Sequence, residues 1–121
     1  MITNVPKNTR ITTQTIPRSN SESVGFRLRG SGNFEPSYLL RLSPYARSAD
    51  LNGQSILNVE GLDPPYKLEV ILKDDIIDVC VDDQRYLVNR CPEHSGNLLF
   101  LFCQNGLALF QNLQVFPLLS N

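Results

Sequence analysis

Tryptophan is absent from this chain, which holds one histidine, one methionine and three cysteines among its 121 residues. The missing indole removes the widest flat face from any sugar-stacking platform. A lone histidine, His94, leaves no second imidazole to share a metal or a proton relay. Cys80, Cys91 and Cys103 are an odd number, which excludes a dense disulfide framework. At least one thiol is free or pairs outside the chain, and one disulfide stays open. An excess of either charge is missing too: 11 basic against 12 acidic residues leave a net of -1. That balance argues against a nucleic-acid partner, because neutralising phosphates takes clustered Lys and Arg. No apolar run approaches the roughly 20 residues that span a bilayer, so no membrane partner is expected. The start, MITNVPKNTR, has no apolar stretch of signal-peptide type, which leaves the compartment open. No Asn-x-Ser/Thr acceptor occurs, and no twelve-residue window shows a helical stripe.

What the chain has is alternation. Its hydrophobic share of 41% suffices for a packed core, and its length suits one domain. Residues 1–8 read as a polar tail and 9–118 as the domain. TRITTQTI (9–16) is rich in Thr and Ile, which suit a half-buried pleated surface. In SVGFRLRG (23–30), Val24, Phe26 and Leu28 face one way and Gly25, Arg27 and Arg29 the other. In SYLLRLS (37–43), Tyr38, Leu40 and Leu42 oppose Leu39 and Arg41. Asn52-Gly53 is a hairpin turn of the commonest class. Short strands flank it, and Pro64 and Pro65 hold the following loop extended. Leu68, Val70 and Leu72 alternate in YKLEVILK (66–73), and Ile77, Val79 and Val81 in IIDVCVD (76–82). Asp74-Asp75 and Asp82-Asp83 turn the chain, and QRYLVNRC (84–91) returns. LLFLFC (98–103) is apolar on both faces, as a central strand covered on both sides would be. Gln104-Asn105-Gly106 turns into LALFQNLQVFPL (107–118). About nine short strands with turns every eight to twelve residues predict an all-β protein, an antiparallel two-sheet β-sandwich. The connections are too short for the helical crossovers of a parallel sheet.

Chemistry-bearing residues are few. Asp74, Asp75, Asp78, Asp82 and Asp83 crowd within ten residues, which suggests a calcium site or a pair of catalytic carboxyls. Four of them fall in hairpin turns, where Asp is favoured for local hydrogen bonding, and Asp78 lies on a wet strand face. Cys91, His94 and Cys103 supply one short metal-type spacing where a structural zinc site needs paired ones. A Cys91–His94 nucleophile pair lacks an orienting group. GSGN (30–33) has neither the ending nor the following helix of a phosphate loop. No cofactor is implied. Arg27, Arg29 and Arg41 lie on the outward faces of two strands that can be neighbours. With Tyr38, Tyr45 or Tyr86 they can bond the vicinal hydroxyls of a sugar, since guanidinium forks suit such pairs. A solvated or docked sheet face is the plainer reading of the same residues.

KLEVILKDDIIDVCVDDQRYLVNR (67–90) resembles the C-terminal β-sandwich of glycoside hydrolase family 32, the invertase, inulinase and levanase family. Asp78, Val79, Val81, Asp82, Asp83 and Arg85 fall on its acidic-V-x-V strand and following hairpin. NGLALFQNLQVFPL (105–118) is similar to the family's last strand at Asn105, Gly106, Ala108, Phe110, Leu113, Val115 and Pro117. Cys80 and Phe116 depart from it, standing where a large apolar residue and Trp are usual. Carbohydrate-binding module family 66 shares the sandwich, of concanavalin-like jelly-roll type. The resemblance implies no catalytic residue: the family's nucleophile and acid/base lie in an N-terminal propeller whose motifs this chain does not match. It implies a non-catalytic accessory module that braces the catalytic domain of a fructan- or sucrose-acting hydrolase. A stand-alone fructan-binding module is the alternative. The carbohydrate-contacting candidates are Arg27, Arg29, Tyr38 and Arg41, and outward Ile71, Leu39 and Leu99 are the candidates for a docking surface.

Overall fold

Alternation with one wet face sets strand register strongly, because a one-residue slip would turn every apolar side chain to water. A computed structural model of the chain describes residues 2–18, 22–32, 37–44, 46–57, 59–60, 62, 65–104 and 107–118, with the side chains of Arg18, Arg85, Tyr86 and Leu107 outside the description. Asn33 of the GSGN stretch, Asn105-Gly106, Pro64, Tyr45 and the Tyr86 side chain therefore lie outside it.

Ten strands are described: β1 (Thr9–Arg18), β2 (Ser23–Gly30), β3 (Tyr38–Ser43), β4 (Ser48–Leu51), β5 (Gln54–Leu57), β6 (Tyr66–Lys73), β7 (Ile76–Val81), β8 (Gln84–Arg90), β9 (Leu98–Gln104) and β10 (Leu107–Pro117). They form two five-stranded antiparallel sheets, ordered β10-β1-β6-β7-β8 and β5-β4-β3-β2-β9. The expected all-β sandwich is what the chain forms. First and last strands pair, Thr9 opposite Pro117, so one sheet closes only when both ends of the chain meet.

Between the sheets lie the predicted inward residues. Leu68, Val70, Leu72, Ile77, Val79 and Val81 from one sheet, and Val24, Phe26, Leu28, Leu40 and Leu42 from the other, are buried. Full burial of each such side chain stabilises by roughly 1.5–3 kcal/mol. The Phe26 and Phe110 rings meet at 5.8 Å between centroids and join the layers. β1 buries Thr9 and Thr13, whose hydroxyls donate to the carbonyls of Phe116 and Gln111 at 2.8 and 2.9 Å. The cross-strand carbonyls make those polar side chains tolerable in the core.

Two expectations are corrected here. β9 is an edge strand that pairs with β2, not a central one. Leu99 faces the core at 1% exposure, so it belongs to no docking surface, whereas Ile71 and Leu39 are half-buried on outer faces. The segment before β1 partly covers the free edge of β9: Ile2 and Leu99 exchange backbone hydrogen bonds of 2.8 and 2.9 Å, and Val5 donates to Asn97 at 3.0 Å.

Candidate functional site

The outer face of the β5-β4-β3-β2-β9 sheet carries the polar side chains that alternation turns away from the core. Register places Phe102, Gly25, Arg41, Asp50 and Ser55 in one row across the strands, and Phe100, Arg27 and Leu39 in the next. A Cβ on Gly25 would collide with the Leu40 carbonyl, so only glycine lets β2 and β3 run this close. The turn residues Asn52 and Gly53 both have positive φ, 50° and 84°, as a two-residue hairpin of matching twist requires. Asn52 donates its N–H to the Leu39 carbonyl at 3.3 Å, which extends the β3–β4 ladder to the turn. The result is an open groove of about 420 Å³ lined by Ser37, Leu39, Arg41, Asp50, Asn52 and Gly53. Inside it the Asp50 carboxylate accepts from the Ser55 hydroxyl. Arg41 Nε is buried and has no hydrogen-bond partner among the described residues.

A second concavity lies at one end of the sandwich. Around a space of about 370 Å³ stand Lys7, Arg29, Asp74, Asp75, Cys91, Pro92, His94, Ser95 and Gly96. Both sheets contribute, through the end of β2 and the β6–β7 turn. A bulge between Arg27 and Gly30 breaks the β2 alternation, and Arg29 takes a φ of 53° there. Its side chain leaves the outer face and bonds the Lys7 carbonyl at 3.1 Å. Arg90 Nε sits 2.9 Å from Asp75 Oδ2, and that guanidinium holds the Asp75 carboxyl below its usual range. Burial pushes the Cys91 thiol up to about 11, so it keeps its proton at neutral pH. A thiolate nucleophile needs the opposite.

The four candidates read from the sequence are thus split. Arg27 and Arg41 do share the outer face. Arg29 does not, because the bulge swings it to the end pocket. Tyr38 is 1% exposed and offers no stacking face to solvent. Its hydroxyl donates to Glu93 at 3.1 Å and accepts the His94 N–H at 2.7 Å. Its ring packs on the His94 imidazole, 4.7 Å between centroids. Burial is the main reason its phenol pKa is raised.

Sequence reasoning missed Asp50 and Asn52. Counting back from the Asn52-Gly53 turn finds Asp50 opposite Ser55, but only the β3–β4 register sets it beside Arg41. Nothing in the pattern marks His94 or Asp75 as neighbours of Arg29. The acidic cluster resolves into turn chemistry. Asp74, Asp82 and Asp83 have positive φ, Asp82 accepts the Lys67 N–H at 2.8 Å, and Asp83 pairs with Lys67 Nζ at 3.1 Å. Among the described residues no three His, Cys, Asp or Glu side chains are grouped to hold a metal ion. None of the three cysteines forms a disulfide among the described residues.

No family model matches the chain, and no curated protein matches it. Solved structures do. The carbohydrate binding module CBM66 from Bacillus subtilis superposes with a TM-score of 0.71 at 13% identity, covering 91% of this chain and 75% of that one. A wild-type fructosyltransferase from A. japonicus gives a TM-score of 0.75 at 17% identity, covering 99% of this chain and 24% of its own, so this chain spans about a quarter of that protein. A galectin from Caenorhabditis elegans gives 0.61 at 15%, covering 94% of this chain and 86% of that one. These likenesses show the fold, and at that level they bear out the resemblance read from the sequence.

Proposed function

We propose that this chain is a non-catalytic accessory β-sandwich of a carbohydrate-active protein and that it binds glycan along the outer groove beside Arg41. One observation carries the reading: the Arg41 side chain set next to the Asp50 carboxylate in an open groove. Donor fork and carboxylate side by side match the alternating hydroxyls of a sugar, and Leu39 supplies an apolar floor. Support also comes from the superposing structures, one a carbohydrate binding module and one a sugar-transferring enzyme.

NMR titration with inulin, levan and short fructo-oligosaccharides tests this. Amide shifts at Leu39, Asp50 and Asn52 are expected with millimolar ligand, weakened at least about tenfold by Arg41→Ala. No shift there with any of these glycans defeats the reading.

A second role rests on the opposite face. Phe116, Arg10, Ile71, Asp78 and Val88 form one row across the β10-β1-β6-β7-β8 sheet. Phe116 is 41% and Val88 48% exposed. This is the face that would pack on the catalytic domain of a parent hydrolase.

A further inference from the structure

Asn52 and Gly53 form the exposed tip of the β4–β5 hairpin and also line the outer groove. An asparagine side-chain amide is reached most freely by the next main-chain nitrogen when that residue is glycine, which has no Cβ to crowd the approach. Of the asparagines in this chain only Asn52 and Asn105 precede glycine, and Asn105 lies outside the described residues. A Cβ built at Gly53 would meet nothing within 4 Å, so the space around the tip is open. The Asn52 side chain can close on the Gly53 nitrogen only once the turn leaves its folded φ values of 50° and 84°, so hairpin opening sets the rate. Little resists that opening. β5 is an edge strand of four residues; Gln54, Ser55 and Leu57 are exposed, and Ile56 is its one side chain packed against the core.

We infer that Asn52 is a self-modifying site and that its conversion to an acid shuts the groove. Hydroxide takes the Gly53 amide proton, and the nitrogen attacks Asn52 Cγ. The N–Cγ bond forms, the Cγ–Nδ2 bond breaks, and ammonia leaves. Water then opens the cyclic imide, on the Cγ side to give aspartate or on the main-chain side to give isoaspartate. One water enters and one ammonia departs. Either product adds a carboxylate to a groove in which Asp50 already faces Arg41 across β3 and β4. Two anions then compete for one guanidinium and draw its donors away from a ligand's hydroxyls. Isoaspartate also lengthens the main chain by a methylene, so the turn no longer fits a two-residue hairpin, and Asp50 shifts from its place opposite Ser55. The effect on binding rests on the glycan reading above; the covalent change does not.

The test incubates the protein at mildly alkaline pH and follows residue 52 by peptide mapping with mass spectrometry. Folded wild type should accumulate aspartate and isoaspartate there, more slowly than the urea-unfolded chain. Ile56→Ala removes the side chain that anchors β5 and should speed conversion at least about threefold while the folded spectrum persists. Asn52→Asp should weaken the NMR shifts that inulin, levan or fructo-oligosaccharides cause at Leu39 and Asp50 at least about tenfold. An Asn52 that stays intact in the folded chain while it converts in urea overturns the inference. So does full glycan binding by Asn52→Asp, or a conversion rate that Ile56→Ala leaves unchanged. Glycan shifts missing from unconverted wild type defeat the groove reading and with it the effect on binding, while conversion at residue 52 is still decided by mass alone.

Discussion

Tyr66 shows what a single buried hydroxyl does to this fold. The residue is fully buried, and its hydroxyl has no hydrogen-bond partner among the described residues. Burial, helped by the Asp82 charge, raises its pKa far above the ordinary 10.0. An unfolded tyrosine ionises near that ordinary value, while the folded one cannot. The Tyr66 contribution to stability is therefore complete below pH 10 and is lost as pH rises beyond it. Cys91 acts in the same sense from a lower start, since its thiol moves from 9.0 to about 11, so the decline begins near pH 9. Tyr66→Phe deletes the orphan oxygen and keeps the ring. It should stabilise the protein by about 1 kcal/mol at neutral pH and flatten the decline above pH 10, measured by urea unfolding across the pH range. A variant that is clearly less stable at pH 7 would mean the hydroxyl is satisfied after all.

Hairpins are the elements on which this fold spends its acidic residues. The β7–β8 turn holds Asp82 and Asp83 at φ 49° and 66°. L-residues there cost roughly 1 kcal/mol more than glycine, although Asp is among those that tolerate it. Asp82 has a reason to stay, because its carboxylate receives the Lys67 N–H. Asp83 has only an exposed ion pair with Lys67, with its side chain 79% exposed, and such pairs add little. Asp83→Gly should raise the urea midpoint by about 0.5 kcal/mol equivalent with an unchanged m-value. A fall in the midpoint would show the ion pair outweighing the backbone. Elements of this kind were legible from sequence because period-two alternation is enforced wherever one face is wet. The β6–β7–β8 meander follows it residue by residue. Alternation does not report a strand's neighbours, however. LLFLFC reads as central, yet β9 lies at an edge, with Phe100 and Phe102 in rows with Arg27 and Gly25. Nor does it survive a bulge, and so period two puts Arg29 on the wrong face. Alternation groups Tyr38 with Leu40 and Leu42, yet it stands among the carbohydrate candidates; it is 1% exposed, and the partners of its hydroxyl lie in the 93–94 loop.

At the scale of the whole molecule, the two outer faces differ in a way that assigns them different work. One carries an open groove that holds a guanidinium and a carboxylate. The other mixes exposed apolar side chains with the Arg10–Glu69 ion pair. Arg10 lies 2.7 Å from Glu69 and 5.9 Å from the Phe116 ring centre. Ile76, at 43% exposure, extends the apolar row toward Arg90. Paired charges can be covered without stranding an ion, which is what a domain interface of about 600–1,500 Å² asks of its polar part. Such a surface left open in the isolated chain should bind an apolar dye and self-associate weakly at high concentration. Joint replacement Phe116→Ser and Val88→Ser should abolish both behaviours. Stability should stay within about 0.5 kcal/mol per site, because neither side chain belongs to the core. Glycan shifts at Leu39 and Asp50 should persist in that variant, since they report the opposite face. A wild-type chain that stays strictly monomeric and leaves the dye dark would remove the docking role while leaving the groove intact.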